Sequence, residues 1–75
     1  MDKKQFAVLV GARMRDLCAK KHVQFLDIAR VTGAHPSVVS RWGSGEHQIS
    51  LHQAAGVAKA LGVKVDTLIG GNDDE

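Results

Sequence analysis

Apolar residues recur at helical spacing along nearly the whole chain. Val10, Met14 and Leu17 stand at i, i+4 and i+7, one face of a first helix predicted from Asp2 to Lys20. Arg13, Arg15, Lys20 and Lys21 fall off that face or at its C-terminal end, where cations complement the helix macrodipole. A second, shorter helix is predicted from Phe25 to Thr32, with Ile28, Ala29 and Thr32 facing inward. Gly33 ends it, because glycine takes the left-handed conformation of a helix C-cap at no steric cost. A third helix starts at Pro36, whose fixed φ and missing N–H suit a first turn. Its inner face is Val39 and Trp42, and the run Gly43-Ser44-Gly45 is predicted to stop it after Trp42. The segment "SLHQ", Ser50 to Gln53, has the form of a capping box, in which the serine hydroxyl caps the helix and the glutamine reaches back. It opens a fourth helix through Leu61, apolar at Leu51, Ala54, Ala55, Ala58 and Leu61. Gly62 ends that helix, and Val65 to Ile69 form a last turn or two. β-Branched residues never alternate over a sustained run, so the expected fold class is all-α.

Two short helices joined by a tight, glycine-bearing turn make a helix-turn-helix, here Gln24–Thr32 and Pro36–Trp42. Such a pair has physical requirements. Ala29 must be small where the helices cross, Gly33 must accept an unusual backbone, and Val39 must be buried to fix the second helix on the first. The outer face of that second helix then fits a DNA major groove. Spacing alone is a modest signal, since many small helical domains contain such a pair.

Charge sharpens the picture. The 75 residues make one small domain with a marginal core, in need of regular packing or a partner. Net charge is only +2, yet residues 1–71 carry ten Lys and Arg against five Asp and Glu. Asp73, Asp74 and Glu75 supply the opposite sign, so residues 72–75 read as a solvated, disordered acidic tail. A basic body suits an anionic partner, most simply nucleic acid, although such a surplus is also ordinary for a soluble domain. Cys18 is the only cysteine, which excludes an internal disulfide framework and fits a reducing cytoplasm; a bridge across a dimer is the alternative. No apolar run approaches bilayer length, and the basic start "MDKKQFAVLVGARM" lacks a small-residue cleavage site, so no membrane role is expected.

Three segments carry a resemblance: "ARMRDLCAKKHV", "DIARVTGAHPSVVSRWGSG" and "ISLHQAAGVAKALGVKVDTLIGG". They resemble the phage-repressor and Cro-type helix-turn-helix domain, the xenobiotic-response-element family, over roughly residues 6–70. The most specific parts are Ile28-Ala29, Thr32-Gly33, Val39-Ser40-Arg41-Trp42, Gly45 and "VAKALGV". The resemblance implies a compact five-helix, lambda-repressor-like bundle over residues 1–71 that binds DNA sequence-specifically, usually as a homodimer. It further implies a base-reading face of Pro36, Ser37, Val38 and Arg41, with Ser40 beside them. Phosphate contacts would come from Gln24, from His35 at the cap of the third helix, and from Ser44, His47 and Gln48. Arg41 is the strongest reader, because a guanidinium forks onto guanine O6 and N7. Ser37 donates or accepts, and Val38 offers apolar contact to a thymine methyl.

The chain departs from the family at matched positions. Cys18 and Gly43 stand where an Arg–Glu ion pair is frequent; losing both avoids stranding one buried charge, and Cys18 is expected to pack as a small hydrophobe. Phe25 stands where a phosphate-binding Gln is frequent and braces the first residue of the third helix, here Pro36. Phe25 and Pro36 are expected to pack together, with Leu26 covering Phe25 or facing a partner.

The expected function is therefore a DNA-binding transcriptional regulator, a repressor of bacterial or phage type, acting on double-stranded DNA at a near-palindromic operator. Val63, Val65, Leu68 and Ile69 are the expected two-fold interface. Two alternatives stand beside it: an antitoxin or restriction–modification controller that autoregulates its operon, with a toxin as protein partner in the former case; and an interaction module that keeps the fold without DNA. Enzymatic chemistry is not supported. Cys18 and His22 have a nucleophile–base spacing but no third orienting group. His22, His35, His47 and His52 do not form a metal set, so neither metal nor cofactor is expected.

Overall fold

Asp2 opens the first helix by accepting the Gln5 N–H at 2.7 Å, while the Gln5 side chain accepts the Asp2 N–H at 3.3 Å. The computed structural model describes residues 2–70, as five helices in the order α1 (Lys3–Lys21), α2 (Phe25–Thr32), α3 (Pro36–Ser44), α4 (Leu51–Leu61) and α5 (Val65–Gly70). The predicted acidic tail, 72–75, lies outside the described residues. The Ser50–Gln53 capping box forms as expected, with the Gln53 N–H donating to Ser50 Oγ at 3.1 Å. A further box, absent from the sequence reading, opens α2: Asp27 Oδ2 accepts the Gln24 N–H at 3.0 Å. Helix α1 ends on His22 in the left-handed region, φ 57°, rather than on a glycine. No described helix is long and apolar enough to cross a membrane.

The helices pack as crossed pairs, α1 on α3 and α2 on α4, with α5 closing against α4 and α1. Each contributes to one core: Val10, Met14 and Cys18 from α1, Ile28 and Ala29 from α2, Val39 and Trp42 from α3, Ala54, Val57 and Leu61 from α4, and Leu68 from α5. Met14, Ile28, Val39, Val57 and Leu68 are the largest side chains wholly shielded from water. Burying one such side chain stabilises the fold by about 1.5–3 kcal/mol. Cys18 packs among them as expected. Burial first, and the Asp27 carboxylate second, push its thiol above the ordinary value. It is thus held in the protonated, unreactive form near neutral pH.

Several expectations shift. Helix α3 continues through Gly43 and Ser44, because α-helical geometry accommodates a glycine and only Gly45 adopts the terminating left-handed φ, 82°. On α4 the apolar residues Leu51 and Ala55 face water, Leu51 being 71% exposed, and Val57 takes the core position. Leu68 is 0% exposed within the protomer, so it cannot line a surface between two copies; it is core instead. Arg13 is half-buried and donates to the Ile69 carbonyl at 2.7 Å, tying the end of α5 to α1.

Candidate nucleic-acid interface

The turn between α2 and α3 is built from Thr32 and Gly33. Gly33 has φ 76°, and its N–H donates to the Ala29 carbonyl at 2.8 Å. The Thr32 hydroxyl donates to the Ile28 carbonyl at 2.8 Å and accepts the Ala34 N–H at 3.3 Å. One side chain thereby ties the last turn of α2 to Ala34, just beyond Gly33.

His35 caps α3. Its Nδ1 accepts the Ser37 N–H at 3.1 Å and lies 2.8 Å from the Ser37 hydroxyl. A nitrogen that accepts carries no proton, so the neutral ring holds its proton on Nε2. That donor belongs to an exposed residue at a helix N-terminus, where anions are favoured. His35→Ala should therefore lower stability by about 1 kcal/mol in urea unfolding. His35→Asp restores a cap acceptor but sets a negative charge toward phosphate, so it should keep stability and weaken DNA binding. If His35→Asp binds DNA as tightly as the wild type, the histidine is a cap only.

Val39 and Trp42 lock the inner face of α3, at 0% and 3% exposure. The opposite face presents Pro36, Ser37, Ser40 and Arg41 to solvent, while Val38 is half-buried against the core. The Arg41 backbone is held from behind: its carbonyl accepts the His47 N–H at 3.2 Å and the Ser44 hydroxyl at 3.2 Å. Among the described residues no hydrogen bond or ion pair engages the Arg41 guanidinium. A fixed Cα with an unengaged fork of donors suits base reading.

The predicted phosphate residues are less uniform. Gln24, His47 and Gln48 are exposed. Ser44 is exposed too, but the Glu46 carboxylate lies 3.3 Å from its hydroxyl, and that negative charge opposes a phosphate there. Two lysines escaped the sequence reading. Lys3 and Lys4 line a shallow groove together with Ala7, Gly45, Glu46 and Gln48, which joins the start of α1 to the loop after α3. Their signal was electrostatic: cations in the first turn of a helix oppose its macrodipole. Phe25 has a further neighbour that the sequence does not announce. The Phe25 ring sits against Gly43, where an added Cβ would lie 2.9 Å from Cζ. Of the residues predicted for dimerisation, Val63, Val65 and Ile69 are half-buried, unlike Leu68. Among the described residues no His, Cys, Asp and Glu cluster has the geometry of a metal site.

Known proteins share this arrangement. Residues 13–74 match the model of the Cro/C1-type helix-turn-helix DNA-binding domain. The restriction–modification controller protein C.AhdI from Aeromonas hydrophila superposes with a TM-score of 0.77 at 27% identity, covering 83% of this chain and 94% of its own. The clp gene regulator ClgR from Corynebacterium glutamicum superposes at 0.80 and 25% identity, covering 92% and 94%. The P22 c2 repressor, solved with a synthetic operator, shares the fold at 0.75 and 23% identity, covering 85% and 97%. No curated protein sequence matches the chain significantly. With residues 13–74 inside the family model, the chain belongs to the Cro/C1-type helix-turn-helix DNA-binding family.

Proposed function

We propose that this DNA-binding transcriptional regulator is a cytoplasmic repressor of bacterial or phage type, with no catalytic activity of its own, that places α3 in the major groove. The observation that carries this reading is Arg41, unengaged among the described residues, on a helix pinned from behind by Val39 and Trp42. Arg41, Ser37, Ser40, Pro36 and the exposed part of Val38 face the base edges. Gln24, His35, His47 and Gln48 face the phosphates, with Ser44 at the margin and Lys3 and Lys4 added by the groove they line. Residues 1–71 act as the DNA-binding unit. A homodimer forms through Val63, Val65 and Ile69, setting two copies of α3 about 34 Å apart on a near-palindromic operator.

A second reading, a restriction–modification controller, has the support that C.AhdI is covered over 94% of its chain, an extent that ClgR and the P22 c2 repressor share. Such a controller would repress or activate its own operon through the same face. A protein partner, such as a toxin, would find exposed apolar footing at Leu26, Val31 and Leu51, which are 45%, 50% and 71% exposed.

Selection of bound sequences from a random DNA pool at two salt concentrations tests the reading. The expected product is an inverted repeat with half-sites about 10 bp apart. Affinity should fall steeply between the two salts, because each neutralised phosphate releases counterions. Recovery of no preferred sequence would sink base reading, and recovery of single, unrepeated half-sites would sink the dimer.

A further inference from the structure

Phe25 and Gly43 meet across the helix-turn-helix. Phe25 is the first residue of α2, half-buried and packed on the core. A Cβ built on Gly43 would lie 2.9 Å from Phe25 Cζ, 3.0 Å from Cε2 and 3.4 Å from Met14 Cε. The far edge of the ring therefore rests on bare backbone of α3. On another side of the same turn, a Cβ on Gly11 of α1 would lie 2.6 Å from the Gly43 carbonyl oxygen. The backbone of the last turn of α3 is thus held between Gly11 of α1 and the Phe25 ring of α2. Ser40 and Arg41 lie within one helical turn of this grip.

We propose that Phe25 is a positioning residue for DNA reading: its ring, seated on Gly43, sets where the C-terminal turn of α3, and with it Arg41, stands in the domain. This rests on the reading of α3 as the base-reading helix. The physical case is stiffness. A ring has only two side-chain torsions to turn about, and the helix backbone it rests on has none to spare. A polar brace between the two helices would exchange with water; an aromatic edge on a glycine does not. A Cβ at position 43 would stand 2.9 Å and 3.0 Å from two ring atoms, so either the ring or the end of α3 must shift.

Gly43→Ala and the double variant Phe25→Leu/Gly43→Ala test this, since leucine is shorter than phenylalanine by about the room the new methyl needs. Each is studied at a temperature where circular dichroism shows it fully folded. Two quantities are read: α3 backbone amide resonances without DNA, and affinity for the selected operator beside affinity for random DNA. Gly43→Ala should move the amides of 40–44 and weaken operator binding about tenfold, within the loss expected for one misplaced bidentate base contact. Affinity for random DNA, set by phosphates, should hold within about twofold. The double variant should restore both the resonances and operator binding. Folded Gly43→Ala protein with wild-type amides and operator affinity would overturn the proposal, as would a stable double variant that recovers neither. If the wild type itself prefers no sequence, the reading of α3 fails instead, and the amide shifts alone decide whether Phe25 positions the helix.

Discussion

Gly11→Ala should lower the melting temperature by on the order of 10 °C. Two terms of opposite sign compete. Alanine is a better helix former than glycine by about 1 kcal/mol, and residue 11 is interior to α1. Against that, the new Cβ would stand 2.6 Å from the Gly43 carbonyl oxygen and would press on the Trp42 carbonyl as well. Both obstacles are backbone, and neither can rotate away. Overpacking a tight core costs about 1–3 kcal/mol, with backbone obstacles at the upper end. The steric term therefore wins, leaving a net loss of about 2 kcal/mol. A 75-residue domain has roughly twice to five times that in total, taking 0.05–0.15 kcal/mol per residue. Gly56→Ala is the control. It gains the same propensity, and its Cβ would meet Thr32 Cγ2 at 3.0 Å, a side-chain methyl rather than backbone, so a small adjustment suffices. It should stay within about 1 kcal/mol of the wild type. Equal melting temperatures for the two variants would show that α1 and α3 are not in backbone contact.

The contrast between these glycines explains what was legible in the sequence. Val10, Met14, Ile28, Val39 and Leu61 announced themselves by periodicity, and Gly33, Gly45 and Gly62 by punctuation between periodic runs. Those signals are local, and they locate all five helices and the turn, with α3 running two residues beyond its expected end. Gly11 and Gly43 sit inside helices, where a glycine reads only as a weak spot. Their purpose is set by a neighbour distant in sequence, so the chain gives no local sign of it. The Gly43–Phe25 contact is hidden for this reason: the resemblance pairs Cys18 with Gly43 and Phe25 with Pro36. Volume adds a pairing of the aromatic ring with the missing side chain. Leu51 and Leu68 erred in opposite directions for a related cause. Hydrophobicity marks a candidate for burial, and only the crossing of α4 and α5 on the bundle decides which residue is covered. Lys3 and Lys4 were visible as charges, yet their place beside Gln48 depends on the loop after α3 folding back to the start of α1.

Arg41→Ala should cost about 1–3 kcal/mol in operator affinity per contact, a factor of roughly 5 to 150, and relax one position in each half-site. Stability should not change by more than about 0.5 kcal/mol, because the side chain is exposed and engages nothing among the described residues. The backbone of Arg41 is already fixed by the His47 N–H and the Ser44 hydroxyl, so binding need only order the side chain. That preorganisation favours a specific contact over a diffuse one. Arg41→Lys separates the two. Lysine keeps the charge and loses the planar fork, so affinity for random DNA and its salt dependence should persist while discrimination at that base pair falls. Selection from the random pool with each variant reads the outcome directly. If Arg41→Ala weakens binding uniformly across sequences and the salt slope drops by about one unit, the guanidinium holds a phosphate. Base reading would then fall to Ser37, Ser40 and the exposed edge of Val38, short side chains of which only the two serines form hydrogen bonds. A face so composed would take most of its sequence preference from the shape and stiffness of the DNA rather than from base edges. The same selection would show this as preferences outside the positions α3 covers.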